Sequence, residues 1–175
     1  MERIQVDNEN PSQHWKFINC KDKIVLDLGC GRWEHVEHRD PSWPTTPEYL
    51  IQIGAKEVHA IDIDEKEINW YKEIVSTKMP VFPIHRQISS TDDISDLIRN
   101  TKATVIKCDI EGSESGILNL SNEDFYQIKF YAIETHSDAL YESFIKKFND
   151  MGYTHIATID LVHAPPMKVI FAEKI

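Results

Sequence analysis

The chain has no long hydrophobic run, no dense cluster of lysine or arginine, no internal repeat and no low-complexity tract. The first absence excludes a membrane-spanning helix, which needs about 18 or more consecutive apolar residues. The N-terminal Met1-Glu2-Arg3-Ile4-Gln5-Val6-Asp7 lacks a secretory hydrophobic region, so a soluble cytoplasmic protein is expected. The second absence, together with a formal net charge of -10, argues against a nucleic-acid partner, because neutralising backbone phosphates is the main source of such affinity. Cysteine is also scarce. Cys20, Cys30 and Cys108 cannot all pair within the chain and show no metal-ligand spacing, so they are read as small, reduced side chains.

What is present is the composition of a globular domain. With 175 residues, 41% hydrophobic and 27% charged, the chain can bury one full core but not two substantial ones, so residues 1–175 are read as a single domain. Apolar strand-like segments alternate with helix-like ones. Ile24, Val25 and Leu26 open the first strand; Thr45 or Thr46 can cap a helix with Pro47 in its first turn and Gly54 as its stop. Strand Glu57 to Asp62, a helix from Glu65 to Ile74, and a strand from Val81 to Ile88 weakened by Pro83 follow. Then come a helix from Ser90 or Thr91, strands at Ala103 to Asp109 and Phe130 to Glu134, and a helix over 138–149 with Leu140, Phe144, Ile145 and Phe148 on one face. Tyr153 to Val162 and Met167 to Lys174 are joined across the short Pro165-Pro166 loop, which makes them antiparallel neighbours. The pattern predicts an α/β fold built on a doubly wound, mostly parallel sheet with an antiparallel C-terminal hairpin.

The most informative stretch is Lys23-Ile24-Val25-Leu26-Asp27-Leu28-Gly29-Cys30-Gly31. A buried strand running into two closely spaced glycines lets the backbone turn tightly and approach a ligand. Asp27 ahead of the glycines would repel a pyrophosphate but suits a cationic ligand. Glu34 stands where a dinucleotide fingerprint has its third glycine, which counts further against NAD. Asp62, at the end of the second strand, is placed to accept both hydroxyls of a ribose, while Asp64 is better placed to cap the helix that follows. Ile63 would pack on an adenine ring, with Gln87 and Ile88 after the third strand reading the base. At the end of the fourth strand lies Asp109-Ile110-Glu111-Gly112-Ser113-Glu114. Ligands of open α/β sheets bind outside the carboxyl ends of the strands, so this cluster should face the same crevice as the glycine turn.

The spacing of Asp27, Gly29 and Gly31 resembles motif I of class I S-adenosyl-L-methionine (SAM)-dependent methyltransferases. The Asp109 to Glu114 run, followed by Glu134-Thr135-His136 and the Met151-Gly152-Tyr153 turn, looks like the FkbM family of these enzymes over roughly residues 57–153. The resemblance implies a Rossmann-like sheet of seven strands, SAM as cofactor, and O-methylation of a hydroxyl on a small molecule or sugar. It implies that Asp27, Gly29 and Gly31 surround the methionine moiety, that Asp62, Ile63, Gln87 and Ile88 hold the adenosine, and that Asp109, Glu111 and His136 serve the acceptor. The departure lies in motif I, where Trp33 takes the place of the family's last glycine.

A histidine, whose unperturbed pKa is near ~6.5, can be a neutral base at physiological pH, which is the role expected of His136. Glu111 and Glu114 could alternatively stabilise the start of the following helix. No metal ligand is assigned, although Asp109, Glu111 and Glu134 are residue types that could hold a divalent cation. The connection from Arg32 to Pro44, with Trp33, His35, His38 and Trp43, reads as a lid or acceptor loop, or as a surface loop packed down by its tryptophans. Two other functions remain open: a non-catalytic SAM-binding or interaction module of the same fold, and an NAD-linked oxidoreductase. An exposed edge of the hairpin could support a homodimer.

Overall fold

A computed structural model describes residues 2–6, 10–31, 42–162 and 164–175. Its centre is one eight-stranded sheet in the order β1-β7-β8-β6-β5-β2-β3-β4. The strands are β1 Glu2–Val6, β2 Ile24–Leu28, β3 Glu57–Asp62, β4 Val81–His85, β5 Val105–Cys108, β6 Phe130–Thr135, β7 Thr154–Leu161 and β8 Lys168–Glu173. All neighbours pair in parallel except β8, which runs antiparallel to both β6 and β7. The sheet is therefore mixed α/β and mostly parallel with an antiparallel C-terminal hairpin, as the sequence pattern predicts.

Among the described residues the count is eight strands, not the seven expected. The added one is β1, which pairs with β7 from Glu2 opposite Ala157 to Val6 opposite Leu161. It is illegible in the sequence because Glu2, Arg3 and Gln5 are exposed and only Val6 is buried, so the segment lacks the apolar run of a central strand. At the opposite edge, Pro83 sits opposite Ala60 on β4; having no N–H to donate, it is tolerated where one side of the strand has no partner.

The helices are α1 Pro11–His14, α2 Thr46–Gln52, α3 Glu65–Trp70, α4 Thr91–Thr101, α5 Ser115–Leu118, α6 Asn122–Gln127 and α7 Asp138–Asp150. Alternate strand residues feed two cores, one on each face. Val25, Val105, Phe130, Ala132 and Phe171 pack against Trp15, Leu50, Ile68 and Tyr71 on one side. Leu26, Leu28, Ile106, Tyr131 and Ile133 pack against Ile94, Leu97, Phe125, Phe144 and Phe148 on the other. Both faces being covered is why these strands read as continuous hydrophobic runs.

Local signals set the helix starts. Thr45 forms a capping box with Glu48, Asp64 accepts from Lys66 N, and Ser90 forms a capping box with Asp93; each satisfies amide groups that the first helical turn leaves unpaired. After α3 the chain passes into a π-helical turn, Tyr71–Val75, where the sequence predicts a continuous α-helix to Ile74. The wider turn carries Tyr71, which is fully buried, to a position from which its hydroxyl donates to Cys30 O at 2.6 Å. No helix among the described residues is long and apolar enough to cross a membrane.

Candidate functional site

Strand order reverses at β2: the chain goes from β2 outward to β3 and β4, then returns to place β5 on the other side of β2. A crevice necessarily opens between loops that leave in opposite directions from the carboxyl ends of β2 and β5. Here that crevice is a cleft of about 370 Å³, within the roughly 300–1,000 Å³ typical of small-molecule sites. Gly29, Gly31, Asp62, Ile63, Gln87, Ile88, Asp109, Ile110 and Glu111 all contribute to its lining, with Arg86 and Ser113 beside them.

The glycine turn is held from every side. Gly29 N and Cys30 N both donate to Ile61 O, at 2.9 and 3.1 Å, and Asp109 N donates to Leu28 O at 2.9 Å. Gly29 has φ +76, and a Cβ there would lie 1.7 Å from Asp109 O, so the absent side chain is what lets the two loops touch. From below, the Lys107 ammonium donates to Gly29 O at 2.6 Å and lies 3.1 Å from Asp27 Oδ1. Trp15 covers it, with the ammonium 4.9 Å from the ring centroid. Burial works to lower the Lys107 pKa, but Asp27 and then Asp109 outweigh it and keep the ammonium charged.

The wall formed by β3 and β4 is open and sparsely charged. Asp62 Oδ1 accepts from Asp64 N at 2.8 Å, and a Cβ on Gly31 would come within 3.3 Å of Asp62 Oδ2, so glycine at 31 keeps the space before that oxygen clear. Ile63 is 60% exposed and offers an apolar face to the cleft, while Ile88 is buried at the base. Arg86 is already engaged, with Nη2 donating to Asp93 at 2.7 Å.

The wall formed by β5 and β6 is a knot of charge. His136 Nδ1 lies 3.0 Å from Glu114 Oε1, and its Nε2 lies 3.6 Å from Glu134 Oε1, 3.7 Å from Glu111 Oε2 and 3.8 Å from Asp109 Oδ1. Glu134 is in turn bonded to His14 Nε2 at 2.7 Å. Glu111 adopts φ 50 and Gly112 φ +96; a left-handed non-glycine residue is strained, and such strain concentrates at functional sites. Contact with Glu114 raises the His136 pKa to about 9 against the opposing effect of burial, with Glu134 and Asp109 adding to the rise. This pull toward the protonated form runs against the expectation of a neutral base at that position. Burial, then the Glu134 charge, pushes Asp109 up to about 7 despite Lys107.

Of the residues singled out from the sequence, the fold brings Gly29, Gly31, Asp62, Ile63, Gln87, Ile88, Asp109 and Glu111 to one cleft. Asp27 is not among its lining; it is fully buried beneath the turn. His136 stands behind Asp109 and Glu111, half-buried. The Trp33, Glu34, His35, His38 and Asp40 positions of the expected lid lie outside the described residues. Sequence reasoning missed Lys107 and His14. Lys107 did carry a signal, since a lysine inside the apolar run Val105-Ile106-Lys107-Cys108 demands a buried partner; His14 carried none.

No protein-family model matches the chain, and no curated protein matches it by sequence. Solved structures do resemble it. The candidate tRNA (m1A22) methyltransferase Sp1610 of Streptococcus pneumoniae, in complex with S-adenosyl-L-methionine, superposes with a TM-score of 0.64 at 11% identity, over 96% of this chain and 73% of that one. The chain thus shares that methyltransferase's Rossmann-like fold. The candidate RNA methyltransferase PH1948 of Pyrococcus horikoshii shares it with a TM-score of 0.58 at 13% identity, over 94% and 81% of the two chains. So does a protein of the NADB-Rossmann superfamily from Streptococcus agalactiae, with a TM-score of 0.61 at 10% identity, over 95% and 68%. At these identities the likeness concerns the fold.

Proposed function

We propose that the protein is a SAM-dependent methyltransferase of FkbM-like type that methylates a hydroxyl oxygen of a small molecule or glycan in the cytoplasm. The observation that carries this reading is the cleft at the strand-order reversal, whose walls hold the glycine turn, Asp62 and the Asp109-Ile110-Glu111 turn together. Its chemistry fits the cofactor. Among the described residues, Asp62, Asp109 and Glu111 line it against one cation, Arg86, which is itself paired with Asp93. An acidic lining of this kind favours a sulfonium with a free amino group and opposes the pyrophosphate of NAD.

In this reading the Asp62 carboxylate accepts the ribose hydroxyls, and Ile63, Gln87 and Ile88 receive the adenine. Gly29 and Gly31 admit the methionine portion, while Asp27 acts from beneath, through Lys107, to hold the turn. SAM, when bound, supplies an activated methyl group on a sulfur that is already a good leaving group. The protein's own tasks are then in-line positioning and removal of the acceptor's proton. Asp109 and Glu111 are the carboxylates facing the cleft and able to take that proton, and His136, within 4 Å of both, positions them.

The RNA substrates named for the neighbours belong to those proteins. The net charge of -10 and the acidic cleft weigh against a polyphosphate acceptor here. Thermal shifts with SAM, S-adenosylhomocysteine and NAD test the cofactor: stabilisation by the first two and not the third is expected, and no response to either sulfur compound refutes the reading. Labelled-methyl transfer over hydroxylated small molecules, glycans and RNA then tests the acceptor. Asp109→Asn and Glu111→Gln decide which carboxylate takes the proton, the responsible one costing about 10²-fold or more in rate. Cofactor binding without transfer to any acceptor would identify a non-catalytic module.

A further inference from the structure

We propose that Asp109, Glu114 and His136 form a binding site for a divalent first-row metal cation, reached from the cleft. One potential ligand atom from each of the three lies within 4.8 Å of the others, close enough for side-chain rotation to bring all three onto one ion, whose ligands stand about 2.0–2.2 Å from it. Glu114 is fully buried, yet its Oε2 has no hydrogen-bond partner; neither do Asp109 Oδ1 nor either ring nitrogen of His136. The 3.0 Å approach of His136 Nδ1 to Glu114 Oε1 lacks the alignment of a hydrogen bond. Among the described residues, the other buried side-chain atoms in that condition are the two oxygens of Asp27, which has Lys107 beside it. Buried polar atoms are nearly always satisfied, so three neighbouring side chains that each carry an orphaned atom indicate something that belongs between them.

The charge balance points the same way. Around His136 stand the carboxylates of Asp109, Glu111, Glu114 and Glu134, and Lys107, which also acts on Asp109, is committed to Asp27 and the Gly29 carbonyl. Two carboxylate oxygens and one imidazole nitrogen suit Mn²⁺, Fe²⁺ or Zn²⁺ better than Ca²⁺, which takes six to eight oxygens. Glu134, bonded to His14 and 3.6 Å from His136 Nε2, occupies the place of the outer carboxylate that commonly orients a metal-bound histidine. Asp109 also lines the cleft, so positions left open on the ion would face the space where the acceptor is proposed to bind.

The test is a Mn²⁺ titration of the chelator-treated 175-residue chain without SAM, followed by the electron paramagnetic resonance signal of free Mn²⁺. One saturable equivalent is expected, weakened at least about tenfold by His136→Ala and by Glu114→Gln and unchanged by the remote Asp150→Asn. Circular dichroism identifies a variant that fails to fold; if buried Glu114→Gln does so, the half-buried His136→Ala decides. Absence of saturable binding, or binding that His136→Ala leaves intact, overturns the proposal. The S-adenosylhomocysteine thermal shift on the same preparation is independent, so failure of the metal site and failure of the methyltransferase reading are told apart.

Discussion

The two walls of the cleft are built on different physical grounds. The β3–β4 wall is shaped by backbone and apolar contact: a glycine at 31 that leaves room before Asp62, and isoleucines that present apolar surface. The β5–β6 wall is shaped by charge, with Asp109, Glu114, Glu134 and His136 crowded together and largely out of solvent. Buried charge is tolerated only when paired, so this wall depends on many partners at once, whereas the other depends on a few short-range contacts. The difference suits a site in which one side holds a constant cofactor and the other performs chemistry.

One buried charge pair, Lys107 with Asp27, underlies both walls. Lys107→Met strands Asp27 without its partner and removes the bond to Gly29 O, and is expected to cost about 3–5 kcal/mol in urea denaturation. Adding Asp27→Leu should recover much of that loss, because removing both charges eliminates the orphan. A single-variant cost below about 1 kcal/mol would show that the pair contributes little to the turn. Next in size is Gly29→Ala, where the new Cβ meets Asp109 O. It should cost on the order of 2–4 kcal/mol and abolish the thermal shift with S-adenosylhomocysteine. Normal ligand binding in this variant would mean that the close approach of the loops is dispensable.

Substitutions of Asp62 and Glu111 have smaller expected effects. Asp62→Ala should weaken S-adenosylhomocysteine at least about tenfold in a calorimetric titration, since hydrogen bonds to a charged group are worth about 1.5–3 kcal/mol each, while stability changes little because Asp62 is partly exposed. A proportionate loss of stability would assign Asp62 to the fold instead. Glu111→Gly relieves the left-handed backbone at φ 50 and should raise stability by about 1 kcal/mol while lowering methyl transfer. Destabilisation would show that the Glu111 carboxylate supports the charged wall more than its backbone strains it.

Legibility followed the same division. The Asp27-Leu28-Gly29-Cys30-Gly31 turn, Asp62 after β3 and the caps at Thr45, Asp64 and Ser90 could be read because each depends on residues within a few positions of one another. The short β1 could not be read, since its burial exists only against β7. The π-helical turn at Tyr71 was equally hidden, for its purpose is a contact with Cys30, 41 residues away in sequence.

The sequence by itself determined the alternation of strands and helices, the glycine turn and the acids at the strand ends, because periodicity and local backbone chemistry are written in adjacent residues. Only the tertiary structure decided that Asp27 lies beneath the cleft paired with Lys107 and that Glu114, hidden at the start of a one-turn helix, reaches His136. It also gathered four carboxylates around His136, which pull its pKa upward. The reason is that desolvation and Coulomb energy depend on which groups meet in space, and here they come from α1, β5, β6 and the loops that follow those strands.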